Sequence, residues 1–265
     1  MNRKVAVLIA PLAMIVFAVL SAAPAVAGDW IWSVAPYFWA TNLNLDVSID
    51  DRQIVDERVD VTDLIDKLDV VLAVHVEGQK SKWGAFADVY FADFNDDEKT
   101  VDLAGSIPGN LVVKGDMEFT ILEIGGLYNP RMEGKGFSLL YGARAFDVDE
   151  KIEARYAFPG GVTSADRTYR VSSTLWDGFL GGRYVGDIGE RWLYRLRADV
   201  GAGDTDFTWN ALAGFGYTFG KERQNSVELG YRAMGIDFEQ RADVPANIKS
   251  EMVMSGIYGA VKFSF

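Results

Sequence analysis

The last sixteen residues of the chain alternate strictly between two faces. Counting back from the C-terminus, one face carries Phe265, Phe263, Val261, Gly259, Ile257 and Val253, and the other carries Ser264, Lys262, Ala260, Tyr258, Met254 and Met252. A period of two residues with one largely apolar face is typical of a half-buried β-strand. The chain therefore ends on a predicted strand whose final residue is aromatic.

The same alternation recurs along the rest of the chain, with turn signals between the segments. It predicts ten strands, at 30–44, 70–80, 83–94, 115–130, 136–148, 168–185, 191–202, 206–219, 225–240 and 250–265. The connections alternate between short (81–82, 131–135, 186–190 and 220–224) and long (45–69, 95–114, 149–167 and 241–249), apart from the short connection 203–205. This arrangement is typical of an all-β, antiparallel up-and-down transmembrane barrel. Eight or twelve strands are the alternatives.

Side-chain size indicates which face of the barrel points outward. In 191–202 and 206–219 one face carries large aromatic residues around small ones, and the other face is polar or glycine. A barrel of about ten strands has a narrow interior that could not hold all of the aromatics. Aromatic girdles around a lipid-facing band explain the order instead. A secreted soluble barrel, with its apolar face inside, is therefore disfavoured.

Three motifs support the same fold by resemblance. They are the first-strand segment Pro36–Trp39, the loop segment Asp63-Leu64-Ile65 and the hairpin Trp83-Gly84. Together with the aromatic C-terminus at Phe265, they resemble a family of Gram-negative outer-membrane barrels in the porin-like and OmpA-like superfamily. The resemblance implies an outer-membrane location and recognition of Phe265 by the barrel-assembly machinery. It implies a fold rather than an activity.

The N-terminus predicts export. Arg3 and Lys4 precede an apolar run from Val5 to Leu20, and Ala25-Val26-Ala27 supplies a small-x-small cleavage site. We therefore expect a signal peptide at 1–27 and one barrel domain at 28–265. Removing the two basic residues would change the formal net charge from −12 to −14. So acidic a protein is a poor candidate for binding nucleic acid.

The first long connection is strongly acidic. Residues 45–69 contain nine acidic and three basic residues, and 93–98 reads Asp-Phe-Asn-Asp-Asp-Glu. Apolar residues at helical spacing in Asp60–Asp69 predict a short amphipathic helix in this outer loop. Such loops could bind a surface ligand or partner. Their spacing matches no calcium loop, so we expect solvated surface loops without a bound metal.

The inward face of the predicted barrel carries a balanced set of charges. The acids are Glu77, Asp88, Glu123, Asp177, Asp199 and Glu228, and the bases are Arg144, Arg183, Arg195, Arg197, Arg232 and Lys262, with His75 beside them. The segment 115–130 alternates weakly, so Glu123 belongs to this inward set but is not counted among the candidate site residues. Buried charges need partners, so the set predicts a salt-bridge network that fills the interior. The alternative is a water-filled pore in which Arg183, Arg195, Arg197 and Arg232 guide small anions.

His75 is the only histidine and carries the alternative of an outer-membrane enzyme. Imidazole can act as a general base near neutral pH, and Glu77 lies two residues away on the same face. No nucleophile elbow, phosphate loop or zinc motif accompanies them. We therefore expect a hydrogen-bonded lumen histidine, no catalytic residue and no cofactor.

The sequence thus predicts a monomeric integral barrel of the bacterial outer membrane. Its expected neighbours are membrane lipid and lipopolysaccharide, and its expected function is structural or a narrow, porin-like passage for small solutes. The alternatives are a surface-binding barrel that uses the acidic outer loops and an enzyme that uses His75.

Overall fold

The computed structural model describes most of the chain as one antiparallel sheet. The described residues are 30–49, 52–59, 68–95, 99–102, 110–131, 135–157, 163–220, 223–241 and 247–265. The predicted signal peptide at 1–27 lies outside these ranges.

Twelve strands make up the sheet. They are β1 (Ile31–Ile49), β2 (Arg52–Val59), β3 (Leu68–Lys80), β4 (Trp83–Asn95), β5 (Lys99–Asp102), β6 (Asn110–Tyr128), β7 (Gly136–Ala157), β8 (Thr163–Ile188), β9 (Trp192–Gly203), β10 (Phe207–Phe219), β11 (Asn225–Arg241) and β12 (Asn247–Ser264).

Ten of these strands close into a barrel, which confirms the predicted number. Each barrel strand pairs with its neighbours in chain order, and β12 pairs with β1 to complete the ring. At the seam, the amides of Trp32 and Phe265 donate to each other's carbonyl oxygens at 3.0 and 2.9 Å. When paired residues are followed once around the ring, the path that starts at Val34 of β1 returns to β1 at Asp46. The strands are thus staggered by twelve residues around the barrel. The strands are therefore strongly tilted around a narrow interior.

The two ends of the barrel differ. The short turns and the C-terminus lie at one end, which is the periplasmic end in barrels of this class. At the other end several strands run far beyond the roughly 9–11 residues that cross a bilayer. The longest are β7, with 22 residues, and β8, with 26 residues.

The long connections are shorter than the sequence predicts. The segment 45–69 contains the outer part of β1 and all of β2, which pairs with it from Leu43 to Ile49. The segment 95–114 likewise contains β5, paired with the outer part of β6. The pairing of these segments is not signalled by a strict apolar alternation in the sequence.

Only the last two residues of the predicted helix lie within the described ranges. Residues 60–67 lie outside the described ranges, and the last two residues of the predicted segment, Leu68 and Asp69, belong to β3. Within the described ranges, no helix is long and apolar enough to cross a membrane.

The outer surface of the barrel is apolar and rich in exposed aromatic side chains. Large exposed residues on this surface include Phe38, Trp83, Phe137, Tyr141, Trp176, Leu180, Trp192, Phe215, Leu229, Tyr231, Ile257 and Phe263. The predicted faces of 191–202 are confirmed, because Trp192 and Val200 are exposed while Asp199 is buried. Those of 206–219 are confirmed likewise, because Phe215 is exposed while Asn210 is buried. Ring pairs such as Trp192–Tyr217, with centroids 5.3 Å apart, form part of a girdle near the periplasmic end.

Candidate functional site

The centre of the lumen holds an ionic network around two carboxylates. Arg144 donates from Nε to Glu123 Oε1 at 2.8 Å and from Nη2 to Asp199 Oδ1 at 2.5 Å. Arg197 also joins the same two acids, with Nη2 2.8 Å from Glu123 Oε2 and Nε 2.7 Å from Asp199 Oδ2. Glu123 and Arg144 are 0% exposed. These side chains come from β6, β7 and β9, so the network ties separate parts of the wall together.

Arg232 extends this network across the lumen. Its Nη2 lies 3.6 Å from Glu123 Oε1, and its Nε donates to Asn210 Oδ1 at 3.0 Å. Asn210 in turn donates to Asp199 at 2.9 Å, and the Arg232 guanidinium lies over the Trp39 ring, 4.7 Å from its centroid. Neutral polar residues thus link the charged ones. Asn210 is not ionisable and so was not among the predicted charges, although the alternation does place this residue inside.

Two further arginines are paired nearer the periplasmic end. Arg183 forms a bidentate pair with Glu77, and its Nη2 donates to Oε1 at 3.0 Å. Arg195 forms a similar pair with Glu228, at 2.8 and 3.0 Å. Bidentate arginine–carboxylate pairs are among the strongest side-chain contacts. Every arginine of the anion-guiding alternative therefore already has a partner in the protein: Arg183, Arg195, Arg197 and Arg232.

His75 is held between two carboxylates. Its Nδ1 lies 2.9 Å from Asp88 Oδ2, and its Nε2 lies 3.3 Å from Glu77 Oε2. The Tyr37 hydroxyl donates to the other Asp88 oxygen at 2.7 Å, and the imidazole stacks on Phe86. Both ring nitrogens face acceptors, so the geometry suits an imidazolium that donates twice. The contacts described for this ring include no hydroxyl that it could activate.

Asp177 lies apart from the other inward acids. Its carboxylate accepts from the backbone amide of Thr205 at 3.1 Å and from the Thr205 hydroxyl at 2.7 Å. It therefore holds the β9–β10 turn at the outer end and is not a partner for a lumen base, contrary to the prediction. The register puts Asp177 opposite Arg144, but the arginine side chain reaches towards Glu123 and Asp199.

An apolar layer fills the lumen on the outer side of the network. We use this name for the buried cluster of Tyr37, Trp39, Ala73, Tyr90, Ala92, Phe119, Ile121, Phe146, Met234, Ile236, Met254 and Ala260. The segments 191–202 and 206–219, whose inner faces are polar or glycine, give no sign of this layer in the sequence. Its members lie at inward positions whose strands carry apolar residues on both faces, so alternation alone could not mark them.

The periplasmic side of the lumen is open. A vestibule of about 970 Å³ lies inside the short turns, and a chamber of about 70 Å³ lies deeper, beside the network. Five residues line both spaces, and we call them the neck: Ser33, Glu77, Arg183, Arg195 and Lys262. Within the described ranges, no group of His, Cys, Asp and Glu side chains is arranged to hold a metal ion.

Solved structures with similar folds are outer-membrane barrels. Ail, the attachment invasion locus protein of Yersinia pestis, has 8% identity and a TM-score of 0.33, covering 87% of this chain and 99% of its own. The translocator domain of the autotransporter NalP from Neisseria meningitidis has 13% identity and a TM-score of 0.35, covering 93% and 95%. A Pseudomonas aeruginosa FadL homologue has 9% identity and a TM-score of 0.29, covering 89% and 90%. At these values we infer nothing from their activities. No protein-family model and no curated protein matches the chain.

The architecture itself determines the location. Closure of the ring pairs the strand edges, which lipid requires because its core offers no hydrogen bonds to free backbone groups. The exposed aromatic and aliphatic belt would be unfavourable in water, while the charges lie inside. The chain is an integral β-barrel protein of the bacterial outer membrane.

Proposed function

We propose that the protein is a structural outer-membrane barrel whose lumen does not conduct solutes from the periplasm to the cell exterior. The observation that carries this proposal is the filling of the lumen by two successive layers. The ionic network comes first from the periplasmic side, and the apolar layer follows. A solute would have to displace buried ion pairs and then cross packed aromatic side chains.

The energetic cost of opening supports the proposal. Separating Arg144 from Glu123 would leave two unpaired charges in a confined space, which costs on the order of several kcal/mol for each ion. The apolar layer adds a second barrier, because hydrophobic constrictions exclude water and ions. The barrel then acts as a rigid membrane anchor for the strands that extend beyond the lipid at the outer end.

A catalytic role forms no part of the proposal. His75 is enclosed within the lumen wall by Asp88, Glu77 and Phe86, and it lines the deep chamber rather than an outer rim. Its contacts suit a structural imidazolium that links two acids.

Planar-bilayer recording tests the closed lumen directly. Purified barrel inserted at high density should give no steady current in 1 M potassium chloride, because ions would have to cross both layers of described side chains. Insertion is checked independently by protease protection of the barrel strands. Reproducible small current steps that scale with salt concentration would instead support the porin-like passage and overturn the proposal.

The C-terminal aromatic should matter for assembly rather than for stability. We propose that Phe265 is read by the barrel-assembly machinery, and we expect its deletion to reduce the amount of folded barrel in outer-membrane fractions several-fold. Refolding of the same variant into detergent should change little, because the exposed Phe265 ring packs weakly and its backbone bonds lie at the strand end. Normal membrane levels of the deletion variant would contradict this role.

A further inference from the structure

Among the described side chains, the acids and bases of the ionic network and the neck do not balance. With Asp177 bound to Thr205 at the outer end, five carboxylates remain: Glu77, Asp88, Glu123, Asp199 and Glu228. They face five arginines: Arg144, Arg183, Arg195, Arg197 and Arg232. Lys262 is left over, and a protonated His75 would add a second positive charge. A confined positive charge without a partner is unfavourable, so the lumen favours a counterion.

The surplus charge lies at the neck. Within the described part of the chain, Lys262 has no carboxylate within ion-pair distance, although its side chain borders both the chamber and the vestibule. The hydroxyl group of Ser33 also makes no hydrogen bond to the described residues. Ser33 pairs with Ser264 across the β1–β12 seam, so its side chain lies diagonally beside Lys262 on the same inward face.

The arginine beside them also has an unused donor. Arg183 is 6% exposed and lines both cavities, and its buried Nε has no hydrogen-bond partner. Arg195 adds a guanidinium at the same constriction, held in place by Glu228. A free ammonium, a free hydroxyl and an unpaired guanidinium nitrogen are donors that an oxyanion can accept from.

We propose that the neck binds a small soluble oxyanion, a phosphate or carboxylate group, that enters from the periplasm. Lys262 supplies the charge, and Ser33 and Arg183 supply directed hydrogen bonds. The chamber of about 70 Å³ admits a small group, and the vestibule of about 970 Å³ leaves room for the remainder of a larger solute. The site needs no passage through the barrel, so it is independent of whether the lumen conducts.

Isothermal titration of inorganic phosphate into the full barrel tests the proposal, at low ionic strength with chloride as the background anion. Wild-type protein should bind phosphate saturably, and Lys262→Gln should weaken binding by about tenfold or more, because a charged hydrogen bond is lost. Lys262→Arg, which keeps the charge, should retain binding within a few-fold. Lys82→Gln removes a lysine from the β3–β4 turn, outside both cavities, and should bind like wild type.

The source of the anion is tested in parallel arms. Acetate should compete with phosphate, whereas a short-chain phosphatidic acid should compete poorly, because the neck lies inside the wall and away from lipid. Heat-modifiable gel mobility confirms that each variant is folded. Absence of saturable phosphate binding by the wild-type barrel would overturn the proposal, as would unchanged binding by folded Lys262→Gln.

Discussion

Glu123→Gln is expected to lower the free energy of unfolding of the barrel by about 3–5 kcal/mol. Glu123 is fully buried and accepts from Arg144 and Arg197 at 2.8 Å each, with Arg232 at 3.6 Å. Glutamine keeps the shape of the side chain but removes its charge. The guanidinium groups of Arg144, Arg197 and Arg232 would then have only Asp199 as a nearby carboxylate among the described residues of the network. Urea-induced unfolding in lipid vesicles, followed by tryptophan fluorescence, measures the change.

An exposed ion pair provides the control for this prediction. Lys135 and Asp187 are in contact at 2.6 Å near the periplasmic turns, but their side chains are 55% and 44% exposed. Asp187→Asn should therefore cost only about 0–1 kcal/mol. The double variant Glu123→Gln with Arg144→Met should lose less stability than the sum of the two single variants. Removing both members of the ion pair leaves neither of them as an unpaired buried charge. A loss below about 1 kcal/mol for Glu123→Gln would contradict a central role for this carboxylate.

The sequence predicted the barrel well where lipid shapes it. All ten barrel strands were found, and strands such as β9 and β10 agree with their predicted segments to within a residue. Lipid on one side and a narrow lumen on the other impose a strict alternation on these segments. Beyond the bilayer that constraint ends, whereas β7 continues to Ala157 in register with β6 and β8.

The composition of the lumen could be predicted, but not its pairing. Alternation identifies which side chains point inward, and the structure places each of the inward charges inside the wall. Which base meets which acid depends on the stagger of the strands and on side-chain length, neither of which a single sequence provides. Asp177 shows the limit: it lies directly opposite Arg144 in the register, yet its contacts are to Thr205. Glu123 shows the reverse: its segment alternates weakly, yet the structure places this predicted inward acid at the centre of the network.

Gly256→Val should block closure of the barrel, the second large effect that we expect. Gly256 pairs with Thr41 at the β1–β12 seam, and a Cβ at this position would overlap the carbonyl oxygen of Ala40. The obstacle is backbone, which cannot rotate away as a side chain could. The seam runs from Ser33–Ser264 to Ile49–Ile248, so a strand held away there would leave two edges unpaired in lipid. Most of the variant should therefore remain unfolded when it is refolded into vesicles, as judged by heat-modifiable gel mobility.

Two smaller substitutions separate closure from a general intolerance of side chains at glycine. Gly256→Ala adds the same Cβ without the two further methyl groups of valine, so the seam has to shift by less, and this variant should fold with a loss of about 1–3 kcal/mol. Gly178 lies on the lipid-facing side, where the nearest atoms to an added Cβ are 4.0 Å away, so Gly178→Ala should fold like wild type.

The pairing of β1 with β12 closes the longest loop, because these strands come from opposite ends of the chain. If the seam forms before the rate-limiting step of folding, Gly256→Ala should slow folding more than it speeds unfolding. If Gly256→Val folded in wild-type yield, β12 would be able to pair with β1 in another register. The close approach of the two strands at Gly256 would then not be required for the barrel to close.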